Sequence, residues 1–136
     1  MRIVLDTNVL VAGLLKPFGP CGAIVRTLTR GDLELCVDGR ILFEYREVLH
    51  RDRFDFDPTD VDTLMDFIHT RSLSIAAMPL SEPLPDPDDL PFLEVAIAAK
   101  AEYLVTGNAK HFPTRCRQGM KVVSPSQFLQ ILKRVP

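Results

Sequence analysis

Residues Asp86–Phe112 read DPDDLPFLEVAIAAKAEYLVTGNAKHF. Acidic residues and proline stand first, where helices start. The Ala-rich body Phe92–Ala101 has the composition of a buried helix, opened by Asp88 or Asp89 as the cap. The β-branched and aromatic run Tyr103–Thr106 then reads as a short strand, and Gly107–Arg117 as a loop. A helix feeding a strand that ends in threonine, glycine and asparagine is half of an α/β unit.

The rest of the chain repeats that pattern. Arg2–Asp6 is an apolar run that reads as a buried strand, followed by a helix over Asn8–Leu15. A second helix is expected from Cys21 to Arg30, stopped by Gly31. Leu33–Val37 reads as a strand, and Asp38 caps a helix over Gly39–His50. Asp57-Pro58 opens a helix reaching Arg71, with Val61, Leu64, Met65 and Ile68 as its core stripe. Leu73–Met78 is predicted as a strand, Pro79–Pro87 as a proline-rich loop and Lys121–Val123 as the last strand. Ser124-Pro125-Ser126-Gln127 carries a capping box for a helix over Pro125–Arg134. Strands alternating with helices predict an α/β fold, three-layered, with a mainly parallel sheet of four to five strands, in one domain spanning 1–136.

Composition narrows the function. The 136 residues are 46% apolar and 25% charged, ordinary globular values. No apolar run is long enough to span a bilayer, and no signal-peptide pattern precedes the first strand, so no membrane association and a cytoplasmic location are expected. The three cysteines, odd in number and scattered, read as free thiols. His50, His69 and His111 lack paired metal-ligand spacing. A net charge of −2 hides a segregation. Lys100–Pro136 holds seven basic residues against Glu102, whereas Ser72–Ala99 holds five acidic residues and no basic one. A basic rim beside an acidic pocket suits a polyanionic substrate handled through metal ions.

In open parallel sheets, chemistry collects beyond the carboxyl ends of the strands. The first strand ends in Asp6, Thr7 and Asn8, within IVLDTNVLV. The second ends in Asp38, and the fourth in Thr106, Gly107 and Asn108. Glu44 lies on the shoulder of the apolar stripe Ile41, Leu42, Tyr45, Val48 and Leu49 of its helix. A carboxylate there is costly to desolvate unless paired or coordinated. Asp86, Asp88 and Asp89 exceed the one side chain that a cap requires. Glu94, amid apolar neighbours, is expected to have a salt-bridge partner. Carboxylates around Asp6, Glu44 and Asp89, gathered in one pocket, would suit Mg²⁺ or Mn²⁺.

These segments together resemble the PIN-domain family, in its branch of VapC-like toxin ribonucleases from bacterial toxin–antitoxin systems. The resemblance runs over essentially the whole chain, through IVLDTNVLV, ILFEYREVL, Asp86–Phe112 and SPSQFL. It implies a Mg²⁺- or Mn²⁺-dependent ribonuclease hydrolysing phosphodiesters, an RNA substrate, a cognate antitoxin and a homodimer. The family's acids fall on Asp6, Glu44 and Asp89, with Asp88 a rival by one position. A fourth acid is often found where this chain has Asn108. Thr7, Asn8, Thr106 and Asn108 would hold the carboxylates and waters, and Lys110, Arg115 and Arg117 would meet RNA phosphates. Two other readings stand beside this one: a non-catalytic PIN-like scaffold binding RNA or protein, and a receiver-like phosphoacceptor domain using Asp38.

Overall fold

The computed structural model describes residues 1–134. Five strands form one sheet: β1 (Arg2–Leu5), β2 (Glu34–Val37), β3 (Leu73–Ser74), β4 (Tyr103–Val105) and β5 (Val122–Val123). All neighbours run parallel, in the order β3-β2-β1-β4-β5. Ile3 pairs with Leu35 on one side and Tyr103 on the other, which makes β1 the central strand. Ile3, Val4 and Leu5 are all fully buried. Successive strand side chains point to opposite faces, so burial of all three requires that both faces be covered.

Among the described residues, six α-helices provide the cover: α1 (Thr7–Leu15), α2 (Pro20–Thr29), α3 (Gly39–Leu49), α4 (Pro58–Arg71), α5 (Leu90–Ala99) and α6 (Pro125–Arg134). Helix α5 packs on β1, β2 and β4, while α3 and α4 pack on β2 and on each other. Helix α1 lies against α2, and α2 against α6. The result is the α/β/α architecture expected from the sequence. The α1–α2 corner is tight: a Cβ at Gly22 would stand 2.0 Å from the Pro17 carbonyl oxygen, so only glycine fits there. No single helix among the described residues is long and apolar enough to cross a membrane.

Local signals are realised closely where they depend on local chemistry. Asp38 Oδ1 accepts the Ile41 N–H at 3.0 Å, and Asp57 Oδ1 the Thr59 N–H at 2.8 Å. Ser124 and Gln127 exchange reciprocal bonds of 3.1 and 2.8 Å ahead of α6. Gly31, at φ +85°, follows the end of α2 as a left-handed residue.

Two expectations are corrected. The strand predicted over Leu73–Met78 is only Leu73–Ser74. Its partner β2 stops at Val37, because Asp38 opens α3, and the last ladder bond is Ile75 N–H to Val37 O at 2.9 Å. Asp89 stands at the N-cap position of α5, but neither it nor Asp88 supplies the capping bond. Asp86 Oδ1 accepts the Asp88 N–H at 2.9 Å and opens a 3₁₀ turn, Pro87–Asp89, that leads into the helix. Asp89 has helical backbone angles and its side chain makes no capping bond.

Candidate active site

The strand order reverses direction at the β1/β4 pair, since the chain leaves β1 toward β2 and returns past it to β4. A crevice forms at such a switch point. Asp6 follows β1 and Thr106 follows β4, so both stand at its mouth. The Asp6 N–H donates to Val105 O at 2.9 Å, which ties the two strand ends together.

Asp6 is 6% exposed and its carboxylate is held on several sides. The Thr106 hydroxyl donates to Oδ2 at 2.8 Å and the Asn8 amide donates to the same oxygen at 3.3 Å. The Asn8 side-chain oxygen in turn accepts the Gly107 N–H at 3.1 Å. The Asn108 N–H donates to the Thr106 hydroxyl oxygen at 3.0 Å. Burial pushes the Asp6 pKa up, opposed by the bonds from Thr106, the Thr7 backbone and Asn8 and by nearby His111. As N-cap of α1, Asp6 makes no side-chain capping bond, so its carboxylate faces the crevice network instead.

Glu44 arrives on α3. The fully buried Tyr45 hydroxyl donates to Leu5 O at 2.5 Å, pinning α3 to the end of β1 one residue before Asp6. The preceding residue, Glu44, accepts a hydrogen bond from the Thr7 hydroxyl. Its pKa is raised by burial, against the Thr7 bond, and raised further by the charges of Asp6 and Asp88.

Asp89 completes the group. Its Oδ2 atom is buried without a hydrogen-bond partner. Its pKa rises from 3.8 to about 6, through burial first and then the charges of Asp6 and Asp86. Asp88, by contrast, is exposed. The three sequence-predicted carboxylates therefore share one end of the sheet and feel one another's charge. Among the described residues, no three His, Cys, Asp or Glu side chains converge closely enough to enclose a metal ion by direct contact. Mg²⁺ normally keeps several of its waters and takes one or two carboxylates plus substrate phosphates. An orphaned carboxylate oxygen among mutually repelling acids fits such a cation.

The sequence did not single out His111. Its Nδ1 lies 3.4 Å from Asp89 Oδ2, and it bears on Asp6 as well. A 3₁₀ turn, Ala109–His111, folds it back toward the crevice, closed by the His111 N–H on Asn108 O at 2.9 Å. Its position three residues beyond Asn108 was the available signal. Of the basic residues, Lys110 and Arg115 are exposed. Arg117 is turned onto its own loop: Nε donates to Phe112 O at 2.6 Å and Nη2 to Ala109 O at 3.4 Å.

Two other acids are accounted for differently. Glu94 pairs with Arg40 at 2.7 Å, as expected for a core-edge acid, and accepts the Leu80 N–H at 2.9 Å. Asp38 caps α3 with one oxygen and holds Arg40 with the other. The observed strand order is also not the 2-1-3-4-5 of a receiver-like domain. Both facts weigh against Asp38 as a phosphoacceptor.

Fold and site thus define an α/β protein with an acid-lined crevice at its topological switch point. The PIN domain family matches residues 2–110, and the chain belongs to that family. Among solved structures, the chain is similar in fold to one from the crystal structure of VapBC2 from Rickettsia felis bound to a DNA fragment from their promoter. The TM-score is 0.59 at 17% identity, over 91% of this chain and 98% of that one. No curated protein matches in sequence.

Proposed function

We propose that this chain is a divalent-metal-dependent ribonuclease, formed as one domain, and the toxin component of a cytoplasmic toxin–antitoxin module. The observation that carries the reading is the gathering of Asp6, Glu44 and Asp89 at the β1/β4 switch point, with Asp89 Oδ2 left unpartnered. PIN-family membership supports nuclease chemistry, and the fold likeness to a VapBC2 chain supports an antitoxin partner. A homodimer belongs to the same reading.

Asp6, Glu44 and Asp89 would hold Mg²⁺ or Mn²⁺, in part through waters. Such an ion, when bound, lowers the pKa of the water it carries and offsets charge building at the phosphate. The Thr106 hydroxyl and Asn8 amide fix Asp6, while Thr7 fixes Glu44, so these acids do not reorganise during the reaction. The Asp89 carboxylate would also orient the attacking water or take its proton. In that arrangement a water would attack the phosphodiester in line: its oxygen bonds to phosphorus as its proton passes to Asp89, the P–O bond to the opposite ester oxygen breaks, and that oxygen takes a proton from solvent. Lys110 and Arg115 grip neighbouring phosphates, with Arg117 holding their loop in shape.

The test is cleavage of a mixed RNA pool in Mg²⁺ or Mn²⁺ by wild type, Asp6→Asn and Asp89→Asn. Cleavage by wild type alone is expected. Equal cleavage by all three would remove the acids from the mechanism. No cleavage by any, with RNA or a protein partner still bound, would make the chain a non-catalytic scaffold.

A further inference from the structure

The loop after β4 brings a nitrogen donor, not another acid, to the crevice. From Thr106 to Phe112 it contains no carboxylate, and the Asn108 residue at its bend is exposed. What reaches the acids is the His111 imidazole, 3.4 Å from Asp89 Oδ2. That pair is close without being hydrogen bonded, for Oδ2 has no hydrogen-bond partner. At this separation a well-aimed N–H would satisfy it, so Nδ1 serves Oδ2 as no donor. In the Nε2–H tautomer Nδ1 offers a lone pair beside those of Oδ2, and two such donors side by side are what a shared cation requires. With bonds of about 2.1 Å to each, they would sit about 3.0–3.4 Å apart.

On the reading given under Proposed function, we infer that His111 Nδ1 is a ligand to the same cation as Asp89. The site is then a mixed oxygen–nitrogen one. Mg²⁺ favours oxygen donors, whereas imidazole favours first-row transition metals, so the preferred ion is a divalent transition metal such as Mn²⁺ rather than Mg²⁺. His111 acts on Asp6 as well as on Asp89, which agrees with a ring on the side of the crevice that those two acids share. His50 has a different environment: its ring contacts Arg46 O and Asp62, away from the crevice acids.

The experiment is Mn²⁺ titration of the full chain followed by electron paramagnetic resonance. Loss of the free-ion signal measures binding, and pulsed electron spin echo modulation reports directly bound ¹⁴N. Wild type should bind Mn²⁺ and show ¹⁴N modulation. His111→Gln should still bind, about ten- to a hundredfold more weakly, with the modulation gone. Competition by Mg²⁺ should be more effective in the variant than in wild type. Circular dichroism of His111→Gln checks that the fold is kept, and the wild-type spectrum decides even if it is not. Binding that is abolished by Asp89→Asn yet shows no ¹⁴N modulation would overturn the histidine ligand and leave the acidic metal site standing. Modulation that persists in His111→Gln would also overturn it. No Mn²⁺ binding by wild type would overturn both.

Discussion

Two groups of buried and half-buried acids are treated in opposite ways. Glu94 and Asp38 meet the Arg40 guanidinium at 2.7 Å, and each also accepts a backbone N–H. Asp6, Glu44 and Asp89 meet hydroxyls, an amide, the Thr7 backbone and one histidine, with no arginine bonded to them, and all three pKa values are raised although the Arg51 charge acts on Glu44. The first group is neutralised by the chain itself. The second is left short of positive charge by a fold that had an arginine to give nearby. Burial of acids is common to both, so burial does not mark a site; the missing counter-charge does.

The sharpest break of that contrast is a pair of isosteric changes, Asp6→Asn and Glu94→Gln. Asp6→Asn should lower RNA cleavage about 10²–10⁴-fold while leaving the fold intact. Glu94→Gln should lower the melting temperature and leave cleavage per folded molecule close to wild type. Single-turnover cleavage and thermal melts on both variants measure the two effects. Cleavage lost equally in Glu94→Gln would erase the distinction between the groups.

How much of this contrast was legible in the sequence differs by element. The caps at Asp38, Asp57 and Ser124 were readable because a cap bonds within three residues of itself. Asp86 carried the same Asp-Pro signature as Asp57-Pro58, yet was passed over because two further acids follow it. Assigning the cap to Asp86 frees Asp89, which strengthens the site that the sequence pointed to. The length of β3 was not readable, since a strand ends where its partner does, and β2 is ended by Asp38. Asp6 and Thr106 were identified by the strand-end rule, but their bond spans 100 residues and needed the β1/β4 pairing. His111 was hidden because a 3₁₀ turn, not the strand, aims it. The partner of Glu94 was expected as a type of group and became Arg40 only in three dimensions.

Removing the counter-charge from the neutralised group tests the comparison from the other side. Arg40→Met leaves Glu94 buried with only the Leu80 N–H, and Asp38 with only its capping bond. A buried acid stripped of its partner costs about 3–5 kcal/mol. Arg40 is half exposed, so solvent returns part of that, and a loss of about 2 kcal/mol is expected. Urea denaturation reads it directly. A loss below about 0.5 kcal/mol would place Arg40 among ordinary surface ion pairs.

Thr106 sits between the groups in effect. Its hydroxyl donates to Asp6 and accepts from the Asn108 N–H, so Thr106→Val breaks two bonds at constant shape. Stability should fall by about 1–2 kcal/mol. Cleavage should fall further than stability accounts for, and Thr106→Ser should restore most of both. If serine fails to rescue, the methyl packing and not the hydroxyl is what matters.

The smallest effect has the most telling sign. Asp89 has a folded pKa of about 6 against 3.8 when unfolded, so the folded chain binds this proton more readily than the unfolded one. Between those values stability falls as pH rises, and the full penalty is present above about pH 6. Asp6 and Glu44, shifted the same way, add to it. The penalty is at most about 3 kcal/mol for Asp89, and about a quarter of it falls between pH 5.5 and pH 7.5. Metal-free wild type should therefore melt a few degrees higher at pH 5.5 than at pH 7.5, about 2–4 °C. Asp89→Asn should raise the melting temperature at pH 7.5 by more than this, since it also removes the penalty accrued below pH 5.5, and should flatten the pH dependence, and saturating Mn²⁺ should shift wild type in the same direction. An acid group already neutralised by the chain predicts the reverse for each: Asp38→Asn or Glu94→Gln can only lower stability at pH 7.5. Opposite signs from isosteric changes a few residues apart would mean that the fold tolerates strain at Asp89 because a cation relieves it. Equal signs would mean that the two groups of acids differ in position and not in kind.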